Sequence, residues 1–241
     1  MTGVQIYDEG YRRWRASTKH CALFGADMPA EIQPFSFVPF DGMEFVSSLL
    51  ELPAGGTLVD FGCGRGGPGM WLAARAGASV IGVDSSRVAI DDANARQHDF
   101  PGLVSGKFVV ADVADTGLPD HSADAVVSID VLQLVPDPAA MTREIARVLK
   151  PGGRVVVTTW EASGAMDKRF PRDVRGLFDG LSDVEMHDRP GWLSRQIAIY
   201  EQAIEGDDGS DAAIADLAAE ARKQLPYRDD MRRVAVSAVR L

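Results

Sequence analysis

The chain has 241 residues, 46% hydrophobic and 25% charged, which excludes a disordered or low-complexity chain and fits one α/β domain with additions or a large and a small unit. Its formal charge of −10 repels a phosphate backbone and argues against nucleic acid as a partner. Two cysteines, Cys21 and Cys63, exclude a disulfide framework, no Cys/His group has zinc spacing, and no apolar run approaches the ~20 residues of a membrane span.

The N-terminal MTGVQIYDEGYRRW holds no signal-peptide core, so a reduced, cytoplasmic protein with no membrane segment is expected. In that stretch Tyr7, Tyr11 and Trp14 fall at spacings of four and three, one stripe of a helix. Such a stripe either packs on a sheet or forms a lid whose aromatic faces attract a cation. Arg12, Arg13, Arg15 and Lys19 read as a solvated helix face. IQPFSFVPF (32–40) follows, in which Phe35, Phe37 and Phe40 are further candidates for the mouth of a site, then a helix near 42–52.

From Thr57 to Thr159 short apolar runs alternate with amphipathic stretches. Strands are predicted at TLVDF (57–61), SVIGVD (79–84), KFVVAD (107–112), DAVVSID (124–130) and RVVVTTW (154–160). Each is rich in Val or Ile with little polar alternation, as strands buried on both faces are. Helices are predicted over 69–77, 86–99 and 138–150, with Gly77 capping the first and Pro151-Gly152-Gly153 as the stop and turn after the third. Strand and helix repeated this way imply right-handed crossovers and a parallel sheet covered on both sides. Residues 161–241 offer a loop, a short strand at 184–187, helices near 191–205 and 210–225, and a closing strand at 232–241. The organisation expected is a helical arm or lid at 1–56 and a ligand-binding domain at 57–241, with a helical substrate cover in 161–225.

The first strand runs into Asp60-Phe61-Gly62-Cys63-Gly64-Arg65-Gly66-Gly67 and then a helix. Glycines there permit a tight turn and let backbone N–H groups approach a ligand beside a positive helix end. Gly62, Gly64 and Gly67 also match G-x-G-x-x-G, which serves nicotinamide, flavin or other adenosine ligands alike and can be a mere packing turn. Asp84 ends the second strand, where a carboxylate can accept both ribose hydroxyls of an adenosine. Asp112 ends the third and could take the adenine amino group. Each aspartate taken singly could be a helix cap or turn residue. Asp60, Asp84 and Asp112 on one sheet edge point together to a ligand, since ligands of open α/β sheets sit there.

At this point the sequence resembles the class I S-adenosylmethionine-dependent methyltransferases, in particular their small-molecule, type 11 group. The segment D-F-G-C-G-R-G (60–66) has that family's D/E-x-G-x-G-x-G form, Asp84 falls at its acidic ribose position, and Asp112-Val113 looks like its adenine-contacting pair. Residues 118–138 and 145–157 are similar to its fourth strand and its approach to the fifth. The resemblance implies a Rossmann-like, doubly wound α/β fold: a mostly parallel seven-stranded sheet with an antiparallel last strand and helices on both faces. It also implies S-adenosyl-L-methionine as cofactor, with Gly62, Gly64 and the Ser128 backbone on the methionine portion, Asp84 and Ser85 on the ribose, and Asp112 and Val113 on the adenine.

Ser128-Ile129-Asp130-Val131 lacks the Asn/Asp-Pro-Pro-aromatic motif of adenine-N6 or glutamine methyltransferases. Asp130 and Glu161 alone make a weak metal site, so no metal is expected. What remains is a small-molecule methyltransferase of specialised metabolism, a monomer or homodimer. Methyl transfer needs a base only where the acceptor must lose a proton. Gln133, expected in the substrate pocket with Tyr11 and Trp14, stands where many small-molecule members carry His or Glu. His20, His98, His121, His187 and Glu161 are the candidates for a base, and Glu161 and His187 are preferred as catalytic because each lies at or near a strand end. The competing readings are an NAD-dependent oxidoreductase, which leaves Asp112 unexplained, and a non-catalytic S-adenosylmethionine-binding protein.

Overall fold

The computed structural model describes residues 3–163 and 171–241, so 164–170 of the loop predicted after the fifth strand, within the predicted 161–225 cover, lie outside the described residues. Seven strands, β1 (Thr57–Phe61), β2 (Ser79–Asp84), β3 (Ser105–Val110), β4 (Ala123–Ile129), β5 (Leu149–Ala162), β6 (Ser182–Asp188) and β7 (Met231–Val239), form one sheet. Its order is β3-β2-β1-β4-β5-β7-β6. β7 runs antiparallel to both β5 and β6, whereas the remaining pairings are parallel. The expected fold is the observed one.

The helices are α1 (Gly3–Ala16), α2 (Thr18–Gly25), α3 (Phe40–Leu50), α4 (Gly67–Ala76), α5 (Arg87–Ala95), α6 (Pro138–Val148), α7 (Pro190–Glu205) and α8 (Ala212–Gln224). Local chemistry sets several of their starts. Ser86 caps α5 by accepting the Ala89 N–H, and Asp137 caps α6 by accepting the Ala140 N–H with Pro138 in the first turn. Strand parity divides the core. Leu58, Val80, Ala125, Val127 and Val156 face α3, α4 and α5, whereas Val59, Val83, Val126, Val155 and Val157 face α6. Each of these Val and Leu side chains, fully buried, contributes about 1.5–3 kcal/mol, so both faces of the sheet are tied down. A third apolar cluster joins Phe24, Phe37 and Trp160 to Ile199, Leu217 and Ala221 of α7 and α8.

Four boundaries differ from expectation. β3 ends at Val110, and Asp112 instead bridges Asp115 in a turn beyond it. The predicted 86–99 helix stops at Ala95 and is followed by a 3-10 turn at Gln97–Asp99. β5 extends back through Pro151-Gly152-Gly153, because the Arg240 carbonyl takes the Gly152 N–H and the Gly153 carbonyl takes the Arg240 N–H. Finally, α3 is part of the core and not of the arm, since Met43, Val46 and Leu50 are buried with the sheet residues.

Candidate functional site

The glycine loop is held by its neighbouring strand. The Val83 carbonyl accepts N–H bonds from Gly62 (2.8 Å) and Cys63 (3.0 Å). One oxygen of Asp84 accepts the Gly64 N–H (2.9 Å) and the other the Ser86 N–H (2.8 Å). Gly62 and Gly64 have φ of +74° and +52°, values at which a Cβ is strained. A Cβ would also overlap the Val131 side chain at Gly62 and come within 2.8 Å of the Tyr11 hydroxyl at Gly64. The loop is therefore a bare backbone cradle under a tyrosine.

Gly62, Asp84, Ser85, Asp112 and Val113 all open into a single cavity of about 410 Å³. Asp84 lies beside Val110 in the β2–β3 register, which puts Asp112 two residues beyond it on the same sheet edge. Asp84 is buried, and burial raises its pKa while the N–H bonds of Ser86 and Gly64 pull the other way. A carboxylate has about four lone-pair sites, so one backbone bond on each oxygen leaves capacity for two hydroxyls of a ligand. Asp112 is exposed at the mouth, with one oxygen on the Ala114 N–H (2.8 Å). Asp60 and Gly64 line a smaller adjoining recess that shares Gly62 and Tyr11 with the main cavity. Burial and then the Asp84 charge push the Asp60 carboxyl up to about 7, against a hydrogen bond from the Gly69 backbone.

The α1 stripe roofs this cavity, with Tyr7, Tyr11 and Trp14 all on its lining. Tyr11 meets Trp14 edge to face at 4.9 Å, and Trp14 stacks on Phe35 at 3.5 Å. Polar ties hold the helix down, among them Ser86 donating to Asp8 (2.5 Å), Arg15 paired with Asp92 (2.8 Å) and Arg13 paired with Asp216 (2.8 Å). Phe35 and Phe37 line the cavity, whereas Phe40 packs on Trp71.

The opposite wall consists of Phe24, Phe37, Trp160, Leu217 and Glu220, and behind it runs a polar chain. Asp130, at φ +58°, accepts from Ser36 Oγ (2.8 Å), Phe37 N–H (3.2 Å), Thr158 Oγ1 (3.0 Å) and Arg233 Nη2 (2.5 Å). Arg233, fully buried, donates onward to Gln196 (3.0 Å). Gln196 Nε2 donates to the Tyr200 hydroxyl (3.3 Å), which donates to Glu220 (2.6 Å). Asp130 and Glu220 are thus the two cavity-facing ends of one hydrogen-bonded chain. Gln133 lines the same space, its amide oxygen accepting from Thr159 Oγ1 (2.8 Å) and its nitrogen donating to the Asp130 carbonyl (2.7 Å).

Three expected residues stand elsewhere. Ser128 does not line the cavity; its hydroxyl bonds the Phe61 carbonyl (2.9 Å), and Ile129, Asp130 and Val131 reach the cavity instead. Glu161 sits inside β5, not after it. Successive strand residues point to opposite faces, so with Trp160 toward the cavity Glu161 points away, where Arg232 and the Val174 N–H (3.0 Å) take its carboxylate. His187 lies on the edge strand β6, with Nε2 3.1 Å from Ser237 Oγ and the ring edge-on to Phe45. Burial and the nearby Arg189 lower its pKa, and it lies outside the cavity lining.

The other histidines are also off the lining. His20 is buried among Trp14, Phe24 and Phe35, and burial lowers its pKa to about 4. His98 is exposed, and His121 bonds the Leu149 carbonyl. Asp130 and Glu161, weighed above as metal ligands, each face a guanidinium. The sequence reading missed the roles of Arg233 and Glu220. A signal existed for Glu220: it lies three residues after Leu217 and seven after Ala213, a carboxylate on the apolar face of α8.

Residues 59–157 match the family model described as a methyltransferase domain. Among curated proteins, the methyltransferase GfsG of Streptomyces halstedii is 33% identical over 151 residues, covering 62% of this chain and 54% of that protein. This chain therefore spans about half the length of that relative. Among solved structures, Haemonchus contortus phosphoethanolamine N-methyltransferase 2, in complex with phosphomonomethylethanolamine and S-adenosylhomocysteine, superposes with a TM-score of 0.76. It is 20% identical, over 97% of this chain and 60% of that one. The [4+2]-cyclase SpnF superposes with a TM-score of 0.69 at 24% identity, over 82% of this chain and 79% of that one. This chain shares its fold with both of these solved structures, and the fold alone does not assign a reaction.

Proposed function

We propose that this chain, whose residues 59–157 match the methyltransferase-domain family, transfers a methyl group from S-adenosylmethionine to a small-molecule acceptor. The observation that carries the reading is the convergence of Gly62, Asp84, Ser85, Asp112 and Val113, from three successive strand ends, with the Tyr11 and Trp14 lid on one cavity. In this reading Asp84 and Ser85 accept the ribose hydroxyls, Asp112 and Val113 meet the adenine at the mouth, and the Gly62–Gly64 backbone holds the methionine portion. The fit rests on the cradle that a Cβ would fill and on the spare lone pairs of Asp84. Bound S-adenosylmethionine supplies an already electrophilic methyl, so what this chain contributes is alignment and exclusion of water. Helix α1 supplies the exclusion and its aromatic faces attract a sulfonium. Glu161 and His187, turned away from the cavity, take no part.

The arm of α1 and α2 serves as the lid, with α7 and α8 as the acceptor's cover. The acidic surface disfavours nucleic acid. Among the described residues no helix is long and apolar enough to cross a membrane. The free thiols of Cys21 and Cys63 suit a reducing cytoplasm, where we expect a monomer or homodimer.

Calorimetric titration with S-adenosylmethionine, S-adenosylhomocysteine and NAD tests the cofactor. Micromolar binding of the first two and none of NAD is expected; the reverse would establish a nicotinamide enzyme. Incubation with methyl-labelled donor and a metabolite pool tests the transfer, and binding with no transfer to any compound would leave a non-catalytic binder.

A further inference from the structure

Among the described residues, the charges on the cavity wall have one sign. Among the described residues that line it, the charged side chains are Asp84, Asp112, Asp130 and Glu220, with no lysine, arginine or histidine. Arg233 lies behind the wall, 5.7 Å from the Trp160 ring and 5.9 Å from the Phe37 ring, with its charge met by Asp130. A phosphate entering such a space would lose its hydration and find carboxylates where it needs cations.

The cavity also has two ends. Asp84 belongs to β2 and Trp160 to β5, three strands apart in the order β2-β1-β4-β5, or about 14 Å at the usual strand spacing. The Asp84 end is the one assigned above to the adenosine. Among the described residues, the Trp160 end has aromatic walls and a single carboxylate, Glu220, not matched by a guanidinium. The Tyr200 hydroxyl fixes one Glu220 oxygen at 2.6 Å, and Gln196 and Arg233 hold Tyr200 in turn. Glu220 is therefore aimed by a network anchored in the core, the condition for a preorganised polar contact.

Building on the methyltransferase reading, we infer that Glu220 selects and deprotonates the acceptor, an unphosphorylated molecule with an apolar or aromatic body that offers an O–H or N–H to this carboxylate. In the step, the acceptor oxygen or nitrogen forms a bond to the methyl carbon of S-adenosylmethionine as the sulfur–carbon bond breaks, its electron pair staying on sulfur. The acceptor proton passes to Glu220, which later yields it to water. Burial, the largest influence, raises the Glu220 pKa above the ordinary carboxylate range, and a base with a pKa nearer the working pH is more effective. Asp130 cannot substitute, because its four donors occupy both oxygens.

The test uses wild-type protein, Glu220→Gln and Tyr200→Phe, methyl-labelled donor, and a metabolite pool split by anion exchange into phosphorylated and unphosphorylated fractions. Label is expected in the unphosphorylated fraction. Glu220→Gln should lower its rate of appearance about 100-fold, the scale of a lost general base, and Tyr200→Phe about 10-fold, both with donor affinity within twofold of wild type. The acid limb of the wild-type rate profile should shift in Tyr200→Phe and vanish in Glu220→Gln. Label confined to phosphorylated compounds, or undiminished turnover by Glu220→Gln, would overturn the inference while the methyltransferase reading stands. Failure of the wild type to bind S-adenosylmethionine would instead overturn that reading. Should Glu220→Gln not fold, the rate and pH profile of Tyr200→Phe decide alone.

Discussion

Arg233→Met isolates the buried ion pair behind the Phe37–Trp160 wall of the cavity. Arg233 is 0% exposed and Asp130 8% exposed, so the substitution leaves a carboxylate inside the protein with Ser36, Thr158 and the Phe37 N–H but no counter-charge. Removing one partner of a buried pair costs about 3–5 kcal/mol. For a domain of this size 1 kcal/mol moves the melting temperature by about 2–4 °C, so a fall of roughly 6–20 °C is expected. Replacing both charges, as Asp130→Asn with Arg233→Met, leaves no uncompensated ion and should recover most of the loss. Thermal unfolding of the two single variants and the double variant gives a double-mutant cycle, in which a coupling of at least about 2 kcal/mol is expected. Additive effects, or an Arg233→Met melting temperature within 2 °C of wild type (a margin of about 1 kcal/mol), would refute the claim that the pair holds the wall.

Asp84→Asn keeps the size but sets an NH2 group against one of the two backbone N–H donors now bound; about 1–3 kcal/mol of stability should go, with donor affinity by calorimetry down at least about 10-fold. Gly64→Ala puts a methyl at φ +52°, 2.8 Å from the Tyr11 hydroxyl. The backbone strain costs about 1–2 kcal/mol, and displacement of the lid should weaken donor binding more than the melting temperature suggests. Asp60 supplies a pH signature, since its carboxyl is pushed up to about 7 from an ordinary 3.8. Between those values the folded chain holds a proton that the unfolded chain has released, so this group's contribution to stability is full below pH 4 and falls as pH rises toward 7. Urea unfolding at pH 4.5 and 7.5 should show wild type losing about 3 kcal/mol relative to Asp60→Asn across the interval; equal losses would contradict the assignment.

Local patterns carried the half of the site proposed to hold the cofactor. A buried strand, a glycine turn and a helix start are encoded within about ten neighbouring residues, so the chain 57–69 and the end of β2 were legible directly, and Asp84 followed from its strand end. Asp112 was legible in place though not in structure, because Val110 and not Asp112 ends β3. The Trp160–Glu220 half of the cavity was not legible in that way. Glu161 and Trp160 look equivalent in sequence; only the pairing of β5 with β7, which sets Trp160 opposite Arg233 and Glu161 opposite Arg232, decides which one faces the cavity. His187 depended likewise on β6 being the outer strand. Asp130 and Arg233 are 103 residues apart, and Tyr200 and Glu220 meet across two helices. A sequence states which side chains seek burial or a partner through its periodicity, but not which distant partner they find. That choice belongs to the sheet order and the helix packing, which bring together charges whose local surroundings hold no record of each other.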